Sequence, residues 1–297
     1  MVAPPLTPIG PVPAGFVPAS AAHAGDFVAA CYTMYGDGNV PLEPAPAGVP
    51  AGYTIHDYIV MSDFLITGRR IQAFYGFIAT SADGSESVVA MRGTVGSTEW
   101  IDNLLFVGFM PFVVDGKSLG DVHKGFGTIY QSIAVIRAGL APTASIAPDM
   151  RPFSDKVASS IAAHRAAKGL TSAPARITVA AHSLGGALLT LYVLENETKR
   201  SLDQVVAYTF ASPRVGDQTF VDSYDALQRA TTYRVFLKED LVPNLPPDVW
   251  GYRHVNAAVQ YSVAGAGIVD SVACHHALST YLYTLSPAGR SLGACKA

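Results

Sequence analysis

Charge is scarce in this sequence. Asp, Glu, Lys and Arg make up 14% of the 297 residues, against about 25% in an average soluble chain, whereas hydrophobic residues reach 49%. With a mean hydropathy of +0.27 the chain can bury a large core, which excludes disorder as its main state. The 20 Lys and Arg residues stand against 23 Asp and Glu, and apart from the pairs Arg69-Arg70 and Lys199-Arg200 the basic residues are scattered. No basic patch marks a nucleic-acid partner. Long hydrophobic runs are missing too. The longest, Leu104 to Val114, is broken by Gly108 and Pro111, well short of the roughly 18 to 20 residues that cross a bilayer, so the protein is expected to be soluble or to sit on a surface. Cysteine is limited to Cys31, Cys274 and Cys295, without CxxC spacing. That argues against a metal site and leaves room for at most one disulfide. No basic region and no apolar h-region precede Ala22, so no signal peptide is expected in the chain as given.

What is present is an alternation of strands and helices. Residues 1–20 hold six prolines and no charge, the composition of an extended arm. Phe27, Cys31 and Tyr35 recur at helical spacing and predict a first helix from Ala24 to Tyr35, stopped by Gly36, before a Pro/Gly-rich loop over 37–52. Strands are predicted at Ile71–Thr80 and Ser87–Arg92, joined by a turn with an Asp-Gly pair. Beyond them the patterning predicts helices at 124–139, 154–168, 184–198, 217–229 and 276–284. Strands are predicted at Ile177–Ala181, Val205–Phe210, Thr232–Leu237 and 255–262. Such alternation implies βαβ units and a largely parallel sheet covered on both faces. No repeat and no second core is visible, so residues 21–297 are expected to form one domain.

The segment Ile177-Thr-Val-Ala-Ala181-His182-Ser183-Leu184-Gly185-Gly186 reads as strand, tight turn, helix. Such a turn lifts the Ser183 hydroxyl above the sheet and aims a helix N-terminus at a reacting carbonyl. Ala181 stands where the G-x-S-x-G pattern has its first Gly. A serine hydroxyl is a weak nucleophile without a base, and the base needs a carboxylate to fix its tautomer. Ten acidic residues follow Ser183, and position separates them: Asp240 lies just past the carboxyl end of a predicted strand, where chemistry gathers in a parallel sheet. Asp217, Asp222 and Asp225 fall on a helix as a cap and a solvated face, and Glu239 is the competitor. Of the histidines after Asp240, His254 is assigned to supporting a strand or the acid loop, which leaves His275 and His276. A tetrahedral oxyanion wants two backbone N–H donors. Leu184 supplies one, and the loop after Val88–Arg92 offers Gly93 and Thr94, with Arg92 as a structural anchor.

Arg92-Gly-Thr94, Trp100-Ile-Asp-Asn-Leu104, His123-Lys-Gly-Phe126, Ala181-His-Ser183-Leu-Gly-Gly-Ala187, Ser212-Pro-Arg-Val-Gly216 and Glu239-Asp240-Leu-Val-Pro243 occur in the order seen in class 3, filamentous-fungal type lipases. The sequence resembles that family over residues 88 to 281. The resemblance implies an α/β-hydrolase fold, a mostly parallel twisted sheet with helices on both faces. It implies acylglycerol hydrolysis by nucleophile Ser183, acid Asp240 and oxyanion donors Thr94 and Leu184. His276-Ala-Leu-Ser-Thr-Tyr281 is similar to the family's histidine segment, which favours His276 over His275. It also implies a lid near residues 95–112, with Trp100, Leu104, Leu105 and Phe106 facing substrate, and a secreted protein, a cytoplasmic one being the alternative. The expected enzyme is a monomer that takes a lipid or ester substrate and needs no metal or organic cofactor. Its rivals are a feruloyl or short-chain esterase on the same scaffold and a non-catalytic lipid-binding protein. For the cysteines, a Cys31–Cys295 bond with Cys274 free is expected, against the shorter link Cys274–Cys295.

Overall fold

The computed structural model describes residues 6–34, 46–63, 71–94, 108–139 and 149–297. An eight-stranded sheet is built from β1 (Tyr53–Asp63), β2 (Ile71–Ser81), β3 (Glu86–Met91), β6 (Ala134–Arg137), β7 (Arg176–His182), β8 (Val205–Phe210), β9 (Ala230–Leu237) and β10 (Ala258–Tyr261), in the order β10-β9-β8-β7-β3-β2-β1-β6. From β3 to β10 the neighbours run parallel, and β2, β1 and β6 extend the sheet antiparallel. A separate hairpin pairs β4 (Phe109–Val114) with β5 (Lys117–His123).

The period-2 alternation of the central strands assigns their side chains to two cores. Val89, Met91, Val179 and Ala181 pack with α2 (Lys124–Gln131), α3 (Phe153–Ala167), α4 (Leu184–Lys199) and the β4–β5 hairpin. Val88, Ala90 and Ala180 face the other side. There they meet α1 (Pro18–Tyr32) and α7 (Leu278–Leu285). The helix α4 is buried at every residue from Leu184 to Asn196. It is therefore a core element whose N-terminus is held rigidly over the sheet.

Several expectations need correction. The first helix spans Pro18–Tyr32 rather than starting at Ala24, because Pro18 suits the first helical turn. From Leu6 onward the Pro-rich stretch before it is tied down: Leu6 and Ile9 donate backbone hydrogen bonds to Thr284 and Gln260 (3.2 and 2.7 Å), and Tyr233 donates to the Ala14 carbonyl at 3.0 Å. The segment covers the edge strand β10, which would otherwise present unpaired backbone groups. The helix expected at 124–139 ends at Gln131 and is followed by β6. The one at 217–229 is α5 (Gln218–Asp225), and the strand expected at 255–262 is confined to Ala258–Tyr261. The last helix is two, α6 (Val272–His276) and α7. Strand β1 and the hairpin β4–β5 had no counterpart in the sequence reading. The residues expected in a lid, Trp100, Leu104, Leu105 and Phe106, lie outside the described residues, and residues 109–112 are strand.

The cysteine pairing is also corrected. Cys274 and Cys295 form the disulfide and Cys31 is free and buried, because its helix turns it into the core against Phe77 and Val88. The bond closes a loop with a sequence separation of 21, for which the chain-entropy model gives about 3 kcal/mol of stabilisation. Cys274→Ser is expected to lower the unfolding free energy by about that amount, read from urea unfolding extrapolated to water.

Candidate active site

The strand β7 ends at His182, and the next residue turns the chain. Ser183 has φ +56° and ψ −125°, a conformation costing on the order of 1–3 kcal/mol that persists only where the surroundings impose it. They do so here. Ser183 N–H donates to the Phe210 carbonyl at 2.9 Å, and the loop after β3 presses against the turn from the other side. A Cβ on Gly93 would stand 2.7 Å from the Ser183 Cβ, and one on Gly185 would stand 2.5 Å from the Arg92 carbonyl oxygen. Only glycine admits both approaches. Ala181, at the position where the motif has Gly, is fully buried and accommodated.

His276 closes α6, whose N-cap Ser271 accepts from Cys274 N–H. Its Nε2 lies 2.9 Å from Ser183 Oγ, and its Nδ1 lies 2.9 Å from Asp240 Oδ2 and 3.2 Å from Oδ1. A carboxylate only accepts, so Nδ1 carries the proton and Nε2 is the acceptor for the Ser183 hydroxyl. Asp240 is 1% exposed. Val242 N–H donates to its Oδ1 at 3.0 Å and the Tyr281 hydroxyl to its Oδ2 at 2.7 Å, so the buried charge is matched on both oxygens. Burial, and then the charge of Asp240, holds the Tyr281 hydroxyl well above the ordinary tyrosine range. It remains a donor.

The competitors are occupied elsewhere. Glu239 accepts from Ser262 Oγ and from Val263 N–H. His275 faces Asp270, with Nε2 to Oδ1 at 3.6 Å. Asp217 caps α5 by accepting from Phe220 N–H at 2.8 Å. Asp225 accepts from Asn256 N–H and Asp222 from Gln218. Arg92 is fully buried, donates to the carbonyls of Phe74 and Gly93, and stacks 4.0 Å from the Tyr75 ring centre, which anchors the loop carrying Thr94. Thr94 Oγ1 is buried without a hydrogen-bond partner among the described residues. Beside Ser183, the first N–H groups of α4 lack intrahelical acceptors, as at any helix start. Arranged together, these groups can activate a hydroxyl and stabilise an oxyanion.

His254 braces the acid loop through the Pro243 carbonyl. Burial, and then the neighbouring Arg234, pushes its pKa down to about 3. It is neutral when folded and ordinary, near 6.5, when unfolded, so the unfolded state binds the extra proton and stability falls as pH drops from about 6.5 towards 3. Urea unfolding between pH 6 and pH 4 should show wild type losing about 1.4 kcal/mol per pH unit more than His254→Asn.

Two residues of the site were given no role in the sequence reading. Tyr32, on α1, lies 150 positions from its partner His182, and no local signal connects them. Tyr281 was legible only as part of the histidine segment.

The "Lipase (class 3)" family profile matches residues 88–250. A "Secreted mono- and diacylglycerol lipase 1" of Fusarium solani is 32% identical over 184 residues, covering 61% of this chain and 45% of its own length. "Phospholipase A1-II 4" of Oryza sativa subsp. japonica is 28% identical, covering 80% and 61%. The chain thus spans about half the length of the curated relatives it matches. Among solved structures, a lipase from Rhizopus microsporus var. chinensis superposes with a TM-score of 0.56 at 20% identity, over 88% of this chain and 79% of the other. That likeness shows the fold, the α/β-hydrolase arrangement expected from the sequence. With more than half of its residues matched by the family profile, the chain belongs to the class 3 lipases.

Proposed function

We propose that this protein is a serine carboxylic-ester hydrolase of lipase type that cleaves acylglycerols through an acyl-enzyme. The observation that carries the reading is the continuous contact from Ser183 Oγ through the His276 ring to buried Asp240, at 2.9 Å on each side, on a strained turn at a helix start.

In the reading, Ser183 Oγ attacks the ester carbonyl carbon while His276 Nε2 takes its proton. The imidazolium is stabilised by Asp240, which stays ionised. The carbonyl oxygen becomes an oxyanion held by the backbone N–H groups of Leu184 and Thr94, with the Thr94 hydroxyl, otherwise unpartnered among the described residues, as a third donor. His276 then gives the proton to the departing alcohol. A water molecule repeats the sequence on the acyl-enzyme and releases the acid.

The acylglycerol substrate rests on family membership and on the printed name of the F. solani relative. Secretion belongs to the same reading, supported by that name and by the Cys274–Cys295 bond, a linkage that persists in oxidising compartments. Among the described residues no helix is long and apolar enough to cross a membrane. The test is a substrate panel. Hydrolysis of both tributyrin and triolein by wild type is expected, whereas turnover confined to short or feruloyl esters would give the site to an esterase. No turnover of any ester, with folded protein, would leave a lipid binder.

A further inference from the structure

His182, next to the proposed nucleophile, is 3% exposed and takes no part in the proton transfers above. Its hydrogen bonds nevertheless reach both halves of the site. Nε2 lies 2.9 Å from the backbone carbonyl of His276, Nδ1 lies 2.6 Å from the Tyr32 hydroxyl, and the Tyr32 oxygen receives Gly93 N–H at 2.9 Å.

For a neutral imidazole these bonds allow one assignment of protons. A carbonyl only accepts, so His182 Nε2 carries the hydrogen; Nδ1 is then a bare acceptor, and the Tyr32 hydroxyl donates to it. The Tyr32 oxygen keeps its lone pairs for Gly93 N–H. The result is a directed chain from the loop that presents Thr94, through α1 and the elbow strand, to the peptide unit of His276. Burial, and then the proximity of His276, keeps the His182 imidazole neutral far below the usual histidine range. Neutrality matters because the ring centres of His182 and His276 are 4.7 Å apart. A charge on His182 would oppose the imidazolium that His276 becomes.

We propose that His182, held as its Nε2–H tautomer by Tyr32, is a positioning residue that fixes the spacing between the oxyanion loop at Gly93–Thr94 and the base His276. The proposal rests on the functional reading of Ser183, His276 and Asp240 given above. The two groups must close on one tetrahedral carbon, and these bonds tie Gly93 N–H to the His276 carbonyl through the Tyr32 and His182 side chains. A drift of about 1 Å between such groups is enough to cost on the order of 100-fold in rate.

The test is steady-state hydrolysis of p-nitrophenyl butyrate by His182→Phe, His182→Gln and Tyr32→Phe, with folding followed by circular dichroism and Ser183→Ala run alongside. His182→Phe keeps the ring shape and loses both bonds; kcat is expected to fall on the order of 100-fold with KM within about twofold. His182→Gln retains an amide N–H for the His276 carbonyl and is expected to recover about tenfold of that loss. Tyr32→Phe removes one oxygen and cuts both of its links; about a tenfold fall in kcat is expected, again without a change in KM. A folded His182→Phe with wild-type kcat, or equal losses for Phe and Gln, would overturn the proposal. Where His182→Phe does not fold, Tyr32→Phe decides, and wild-type kcat there overturns it. Activity surviving in Ser183→Ala would instead remove the functional reading, and the proposal with it.

Discussion

Ser183→Ala is expected to lower kcat for ester hydrolysis by on the order of 10⁴-fold or more, and His276→Ala by a comparable factor. The two losses should not multiply in the double variant, because a nucleophile without its base and a base without its nucleophile are equally idle. Initial rates on p-nitrophenyl butyrate at enzyme concentrations corrected for folded protein would measure all three. The Ser183→Ala protein is expected to fold normally: the side chain lost is one oxygen, and the backbone bond from Ser183 N–H to Phe210 remains.

Asp240→Asn should be nearly as damaging, at about 10⁴-fold in kcat, the scale associated with the wrong imidazole tautomer. The contacts of Asp240 explain why. Oδ1 is committed to Val242 N–H and Oδ2 receives both Tyr281 and His276. In the asparagine variant the amide nitrogen takes the Oδ2 position and presents hydrogens to His276 Nδ1. The ring answers by moving its own proton to Nε2, where it blocks acceptance from Ser183. Glu239→Gln is expected to stay within about threefold of wild type, since its partners are Ser262 and Val263 and its charge does not face the imidazole. The same pair of variants measured side by side separates the two adjacent acids; a dead Glu239→Gln with an active Asp240→Asn would reverse the assignment.

The parts of the molecule legible in the sequence are those where a local rule and the tertiary structure agree. The elbow at Ser183 was readable because an apolar strand runs into a helix through residues too small to collide. Asp240 was readable because it follows the end of β9. Bare reading left His275 and His276 open, and the family resemblance chose between them. In the structure the two side chains part company at the end of α6, one to Asp270 and one to Asp240.

What escaped has physical reasons. Strand β1 carries the buried polar pair His56 and Asp57, satisfied from afar by Thr80 and Ser160. Register shifts between Ile55 and Asp57 and between Ile59 and Val60 break its alternation, so neither period nor polarity announced a strand. The hairpin β4–β5 did carry a signal. Asp115 and Gly116 both have positive φ, at 49° and 77°, the requirement of a type I′ turn. With the apolar run before it expected in a lid, the Asp-Gly pair has no strand to turn. The disulfide pairing is not legible from spacing, because the burial of Cys31 in the core is a tertiary fact. The Tyr32–His182 contact has no sequence signature at all.

The central claim is that Ser183 is the nucleophile of an ester hydrolase. An active-site-directed p-nitrophenyl alkylphosphonate tests it most directly, because a serine activated as described displaces its p-nitrophenolate and keeps the phosphonyl group in a stable bond. Mass spectrometry of the digested protein should find one phosphonyl group per chain, on the peptide containing Ser183, appearing in step with loss of esterase activity and absent from Ser183→Ala and from His276→Ala. A label on another residue, or complete inactivation with Ser183 unmodified, would contradict the account.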